Sequence, residues 1–152
     1  IFCVDINPFQ IQIYSKNIRV LYTDTKSKKT LINLRSYLNK NFDIIIDDGS
    51  HNIRDQIITM NIFFERLKTG GLYVIEDSSQ YLSARNLNPD NLNYGSKDIL
   101  LSVQNKNMEM IKYLSIDETN QLKLSIGNIF SEKGNYIENG INISEIIFIE
   151  KN

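Results

Sequence analysis

Phe42-Asp43-Ile44-Ile45-Ile46-Asp47-Asp48-Gly49-Ser50-His51 decides the fold. Phe42 to Ile46 is almost wholly apolar, as expected for a strand buried on both faces of a parallel sheet. The run then stops in two adjacent carboxylates. A helical pattern follows, with Ile53, Ile57, Met60, Phe63, Phe64 and Leu67 on one face. Gly70-Gly71 is a helix-ending signal, and Leu72 to Ile75 is a second apolar strand that ends in Glu76 and Asp77.

The same rhythm extends in both directions. Upstream, Ile1 to Val4 is a short strand ending at Asp5, and Pro8 opens a short helix or turn. Ile18 to Tyr22 is another strand, with Asp24 two residues past it. Lys26, Lys28 and Lys29 read as a solvated helix start, and Leu31, Leu34 and Leu38 recur at helical spacing. Strand and helix alternate, so right-handed crossovers should build a parallel sheet with helices on both faces. Downstream, residues 78 to 95 form a long loop of the kind that often binds ligands. Ser96 to Leu114 predicts a helix. Leu122 to Phe130 and Ile143 to Glu150 predict two strands joined by a Gly- and Asn-rich hairpin.

Composition narrows the function. The 152 residues suit one domain, and 41% of them are apolar, enough for a sizeable core. Seventeen basic residues against 18 acidic ones argue against a nucleic-acid partner held by phosphate contacts. No apolar run approaches the roughly 20 residues of a membrane span. The lone cysteine, Cys3, has no internal disulfide partner; it suits a reducing, cytoplasmic setting and a small buried apolar role.

Acids terminate four strands: Asp5, Asp24, Asp47-Asp48 and Glu76-Asp77. Ligands of open parallel sheets sit beyond the carboxyl ends of the strands, so these acids gather on one rim. Asp5 suits a ribose-binding acid, with capping of the Asn7-Pro8 segment as the alternative. Neighbouring strands lie about 4.8 Å apart, which would bring Asp48, Glu76 and Asp77 within a few ångströms. A hard cation such as magnesium relieves their repulsion and keeps water positions open for a substrate. The bland alternative is that Asp47 or Asp48 caps the helix starting near Asn52 while Glu76 and Asp77 face solvent. His51, the sole histidine, stands three residues past Asp48. An imidazole beside a metal site suits a general base; otherwise it packs at the helix start.

The run from Asp43 to His51, followed by Gly70-Gly71-Leu72-Tyr73-Val74-Ile75-Glu76-Asp77, resembles the class I S-adenosylmethionine (SAM) methyltransferases that modify macrolide sugars, the mycinamicin and macrocin O-methyltransferase group. More distantly it is similar to the cephalosporin hydroxylase group. Val4-Asp5-Ile6-Asn7-Pro8 looks like that family's second strand end. The resemblance covers residues 1 to 82, and the last strand, Ile146 to Lys151, loosely. It implies a Rossmann-like methyltransferase sheet, mostly parallel with a C-terminal antiparallel hairpin. It implies Mg2+ held by Asp48, Glu76 and Asp77, and His51 as the base that deprotonates an acceptor hydroxyl. It implies cofactor-binding roles for Asp5 (ribose), Asp24 (adenine) and Asp47, and a substrate or lid role for Tyr81. The implied acceptor is a small molecule or glycan bearing a sugar hydroxyl. The family also carries a first strand and a glycine-rich loop ahead of the position of Ile1. Residues 1–152 are therefore expected to be a single, N-terminally truncated domain whose sheet lacks its central strand.

Two other readings remain: a hydroxylase-like relative, and a truncated domain without catalysis. A nicotinamide dehydrogenase fits poorly, because it leaves the metal acids unexplained. The acceptor is not legible, nor is the oligomeric state, with a homo-oligomer among the alternatives.

Overall fold

A computed structural model describes residues 1–7, 15–82, 84–105, 107, 111–138 and 140–152. The turn or helix expected at Pro8 lies outside the described residues. Eight strands and four α-helices are seen among the described residues: β1 (Phe2–Asp5), β2 (Arg19–Tyr22), α1 (Lys28–Leu38), β3 (Phe42–Asp47), α2 (Ile53–Phe64), β4 (Leu67–Ile75), α3 (Ser96–Asn105), α4 (Ile116–Ser125), β5 (Ile126–Lys133), β6 (Ile137–Glu138), β7 (Ile141–Asn142) and β8 (Glu145–Lys151). Strands β1 and β2 pair in parallel. Strands β3 and β4 also pair in parallel, and β8 and β5 extend that sheet antiparallel, in the order β3-β4-β8-β5. The mixed sheet agrees with the expected Rossmann-like class.

Helix α1 starts where Ser27 accepts a hydrogen bond from the Thr30 amide. It buries Leu31, Leu34 and Leu38 as the spacing predicts. Helix α2 is capped by Asn52, whose side chain accepts from the Arg54 amide at 2.9 Å. Ile53, Ile57 and Met60 of α2 join Tyr73, Ile75, Ile147 and Ile149 of β4 and β8 in one core, each fully buried. The largest of these side chains contribute about 1.5–3 kcal/mol each by leaving water.

Three expectations change. Gly70-Gly71 does not end α2, which stops at Phe64; the pair lies inside β4, where the register with β3 shifts between Phe42/Leu67 and Ile44/Leu72. Gly70 has φ +73°, and a Cβ on Gly71 would stand 2.8 Å from the Lys68 carbonyl oxygen and 3.0 Å from that of Asp43. A bulge needs glycine as much as a helix end does, and Leu67 accordingly belongs to β4. The single helix expected over Ser96–Leu114 is the shorter α3, and Leu122 is buried within α4 rather than opening a strand. A capping box between Ser115 and Glu118 starts α4, a signal that apolar alternation alone obscures.

Among the described residues, the helices cover one face of the sheet. The row Ile45, Tyr73, Ile149, Ile129 faces the helices. The row Ile46, Val74, Phe148, Phe130 faces the other way, and Ile44, Ile46 and Phe130 remain 58%, 59% and 49% exposed. Cys3 is only half-buried.

Candidate functional site

Parallel pairing of β3 and β4 carries their C-terminal ends to the same place. Asp47 lies opposite Ile75, and the Glu76 amide donates to the Asp47 carbonyl at 3.0 Å. The carboxylates of Asp48 and Asp77 and a ring nitrogen of His51 thereby come within 4.8 Å of one another. The His51 Nε2 lies 3.9 Å from Asp48 Oδ1. Its Nδ1 is buried and meets no hydrogen-bond partner among the described residues.

Backbone conformation is unusual at two of these three positions. His51 has φ 53° and Asp77 has φ 50°. Left-handed backbone is uncommon outside glycine, although Asn, Asp and His tolerate it best. Such conformations persist only where their surroundings hold them. Around His51, the Ser50 hydroxyl donates to Asp55 Oδ2 at 2.7 Å and accepts from the Asn52 amide at 3.4 Å. Asn52 also donates through Nδ2 to the Asn86 carbonyl at 3.2 Å, tying the start of α2 to the loop that follows β4. Because Asn52 caps α2, neither Asp47 nor Asp48 is spent as its cap.

Asp47 has turned away from the other acids. It is buried, and Tyr73 donates its hydroxyl to Asp47 Oδ2 at 3.1 Å. Burial pushes its carboxyl up to about 6; the Tyr73 hydroxyl, the Gly49 amide and the nearby His51 oppose this, and the charge of Asp48 adds to it. Burial and then the Asp47 charge push the Tyr73 phenol well above its ordinary range. Tyr73 was not singled out from sequence. A phenol inside an apolar strand needs a partner for its hydroxyl, and that is the signal that could have found it.

The remaining candidates divide. A cleft of about 840 Å³ lies between β1 and β3, with Asp5, Thr25, Asp47, Asp48 and Gly49 along it. Asp5 therefore shares a cavity with the acids of β3, while its Oδ1 accepts from the Asn7 amide. Asp24 does not line this cleft; its Oδ1 accepts from the Lys26 amide at 2.9 Å. Glu76 stands beside the Asp48–His51–Asp77 cluster in sequence but contributes no atom to it. Tyr81 sits half-buried over Gly95, where a Cβ would come within 2.6 Å of the ring. The two carboxylates, partly open to solvent, are oxygen donors that suit a hard divalent cation retaining several waters, with the imidazole beside them.

No family model matches the chain. A stretch of 37 residues is 49% identical to the L-olivosyl-oleandolide 3-O-methyltransferase of Streptomyces antibioticus, covering 24% of this chain and 10% of that protein. Among solved structures, the chain is similar to the MycE methyltransferase from the mycinamycin biosynthetic pathway in complex with Mg and SAH. The TM-score is 0.64 at 20% identity, over 99% of this chain. The same enzyme with Mg, SAH and mycinamycin VI gives a TM-score of 0.65 at the same identity. The chain spans 36% of the length of either structure. At this identity the likeness carries the fold: the chain folds as a Rossmann-like class I methyltransferase sheet.

Proposed function

We propose that the protein is a Mg2+- and SAM-dependent O-methyltransferase acting on a sugar hydroxyl of a glycosylated natural product or glycan. The observation that carries this reading is the convergence of Asp48, His51 and Asp77 at the ends of two paired parallel strands. The methyltransferase fold supports it, as does the short match to a protein named as an L-olivosyl-oleandolide 3-O-methyltransferase.

Asp48 and Asp77, with Glu76 beside them, would hold the cation, which lowers the pKa of a coordinated hydroxyl. SAM would supply the methyl group as a sulfonium, a neutral thioether being the leaving group. Asp5 and Asp47 lie along the cleft suited to the cofactor, where Asp5 would accept the ribose hydroxyls. Asp24 would lie toward the adenine. His51 would take the acceptor proton on Nε2, the nitrogen turned toward Asp48. General-base assistance of this kind contributes about 10²- to 10⁴-fold. Much of the remaining work is alignment of the acceptor oxygen with the methyl carbon.

Calorimetric titration of SAH and of Mg2+ into the protein and into Asp48→Ala tests the site, and transfer of labelled methyl to glycosylated acceptors tests the reaction. Binding of both ligands, with Mg2+ lost in Asp48→Ala and methyl recovered on a sugar oxygen, is the expected result. Failure to bind SAH would overturn this reading and leave the hydroxylase-like and the non-catalytic alternatives.

A further inference from the structure

The turn that carries Asp77 is fastened from a distant part of the chain. Ser78 donates its amide to the Glu145 carbonyl at 2.9 Å and its hydroxyl to the same oxygen at 3.0 Å. The Ser79 hydroxyl donates to Glu145 Oε2 at 2.8 Å. Both serines are buried, although they sit in a loop at the rim of the sheet. The other carboxylate oxygen, Glu145 Oε1, accepts from Ser131 Oγ of β5 at 2.8 Å and faces Lys97 Nζ of α3 at 3.5 Å. Lys97 also donates to Ser131 Oγ at 2.6 Å. One glutamate at the first position of β8 thus joins the loop after β4, strand β5 and helix α3. Burial, the largest influence, pushes its carboxyl up, yet the Ser131 and Ser79 hydroxyls and the charges of Lys97 and Lys133 together hold it below the ordinary range.

The fastening begins one residue beyond Asp77, whose φ of 50° is a left-handed conformation uncommon outside glycine. Inside the turn, the Gln80 amide donates to the Asp77 carbonyl at 3.1 Å and Gln80 Nε2 to Asp77 Oδ2 at 2.9 Å. Those bonds shape the turn but do not anchor it to the sheet. Glu145 does so twice over: its backbone carbonyl accepts both bonds from Ser78, and its carboxylate accepts the bond from Ser79 and is itself held by Ser131 and Lys97.

We propose that Glu145, supported by Lys97 and Ser131, is the positioning residue that holds Asp77 in the left-handed turn needed for cation binding. This rests on the reading of Asp48 and Asp77 as ligands of a divalent cation. Residues that orient metal ligands from outside the coordination sphere typically contribute about 10- to 100-fold in metal affinity. Glu145→Ala should weaken Mg2+ binding by that factor. Glu145→Ala and Ser79→Ala both keep the Ser78 bonds to the backbone carbonyl of residue 145; Ser79→Ala removes one side-chain bond and leaves Glu145 held by Ser131 and Lys97, so it should weaken binding less. Glu145→Gln still offers a carbonyl to Ser79 and an amide to Ser131, so it should recover most of the affinity.

The test titrates Mg2+ alone, by calorimetry, into the parent protein, Asp77→Ala, Glu145→Ala, Glu145→Gln and Ser79→Ala, with thermal unfolding of each recorded beside it. Graded loss in Ser79→Ala and Glu145→Ala, with rescue in Glu145→Gln, supports the assignment. A fall in Tm with Mg2+ affinity unchanged in the folded protein overturns it and leaves Glu145 a purely structural tether. Should Glu145→Ala not fold, Ser79→Ala with parental affinity overturns it equally. A parent protein that binds Mg2+ no better than Asp77→Ala removes the metal site itself, and both readings fall together.

Discussion

Tyr73→Phe isolates the interaction that keeps Asp47 ionisable inside the core. The substitution preserves the ring, which is fully buried and lies 6.5 Å from Phe64 centroid to centroid, and removes only the hydroxyl that Asp47 Oδ2 accepts. A hydrogen bond to a charged group contributes about 1.5–3 kcal/mol net, so that loss is expected wherever Asp47 is a carboxylate. The pH dependence gives the sharper test. The carboxyl of Asp47 rises from 3.8 to about 6 in the folded state, a displacement equivalent to about 3 kcal/mol. Because the folded state binds this proton more tightly than the unfolded state, the stabilisation is complete below pH 3.8 and is lost as pH rises through about 6. Removing the Tyr73 hydroxyl, which favours the ionised form, moves the folded-state value higher still. Tyr73→Phe should therefore cost most above about pH 7 and least below about pH 5, measured by urea unfolding with EDTA present. At about 2–4 °C per kcal/mol for a chain of this size, the alkaline loss is readily seen in Tm. An equal loss at both ends of the range, or an undiminished loss in an Asp47→Ala background, would refute the coupling.

Other substitutions probe separate steps of the same reasoning. Gly71→Ala places a Cβ against two backbone carbonyl oxygens that have no rotamer to move into, and should cost about 1–3 kcal/mol in denaturant unfolding. Ser96→Ala leaves the buried Gln56 Oε1 without the hydroxyl that now donates to it at 2.6 Å; a loss of about 1–3 kcal/mol is expected, and Gln56→Leu combined with Ser96→Ala should recover part of it. Met60→Ala opens a cavity at the centre of α2 and should cost about 2–5 kcal/mol. His51→Gln should reduce methyl transfer by about 10²- to 10⁴-fold while SAH affinity is retained, and equal rates for the variant and the parent would remove His51 from the reaction.

The parts of the fold that the sequence announces are those with a single strong period. In α1 the buried positions are the ones that helical spacing selects, and in α2 the selected Ile53, Ile57, Met60, Phe63 and Phe64 are buried, with Asp55, Gln56, Thr59 and Ile62 buried beside them. The apolar run of β3 stops where its strand stops, at Asp47. Ambiguity enters where two signals share the same residues. Gly70-Gly71 reads equally as a helix end or a bulge, and only the pairing of Leu67 opposite Phe42 decides for the bulge. Leu122 alternates with its neighbours as a strand would, yet the Ser115–Glu118 capping box, seven residues earlier at its start, commits it to α4. The exposed Ile44 and Ile46 illustrate the opposite limit. Their composition predicts burial on both faces, but burial is conferred by whatever packs against a strand, which the strand's own residues do not specify.

The acids at the rim follow the same logic with one more step. Alternation along a strand puts Asp47 on the face of Tyr73 and turns Asp48 away from it, so one member of the first pair is buried and the other is available to a ligand. Continued through β4, the same alternation sets Glu76 against Asp77. The left-handed backbone at Asp77 breaks the period, and that break turns the Asp77 carboxylate toward Asp48 and His51. Strand spacing singles out Asp48, Glu76 and Asp77 as the converging acids, whereas the acids that meet His51 are Asp48 and Asp77. The convergence depends on a backbone conformation that neither Glu76 nor Asp77 dictates locally, and which the contacts from Glu145 to Ser78 and Ser79 supply from the neighbouring strand β8, about seventy residues further along the chain. A sequence carrying Asp-Asp-Gly-Ser-His and Glu-Asp but lacking a side-chain acceptor at the position of Glu145 should accordingly fold the strands, keep the Ser78 bonds and still hold the cation more weakly.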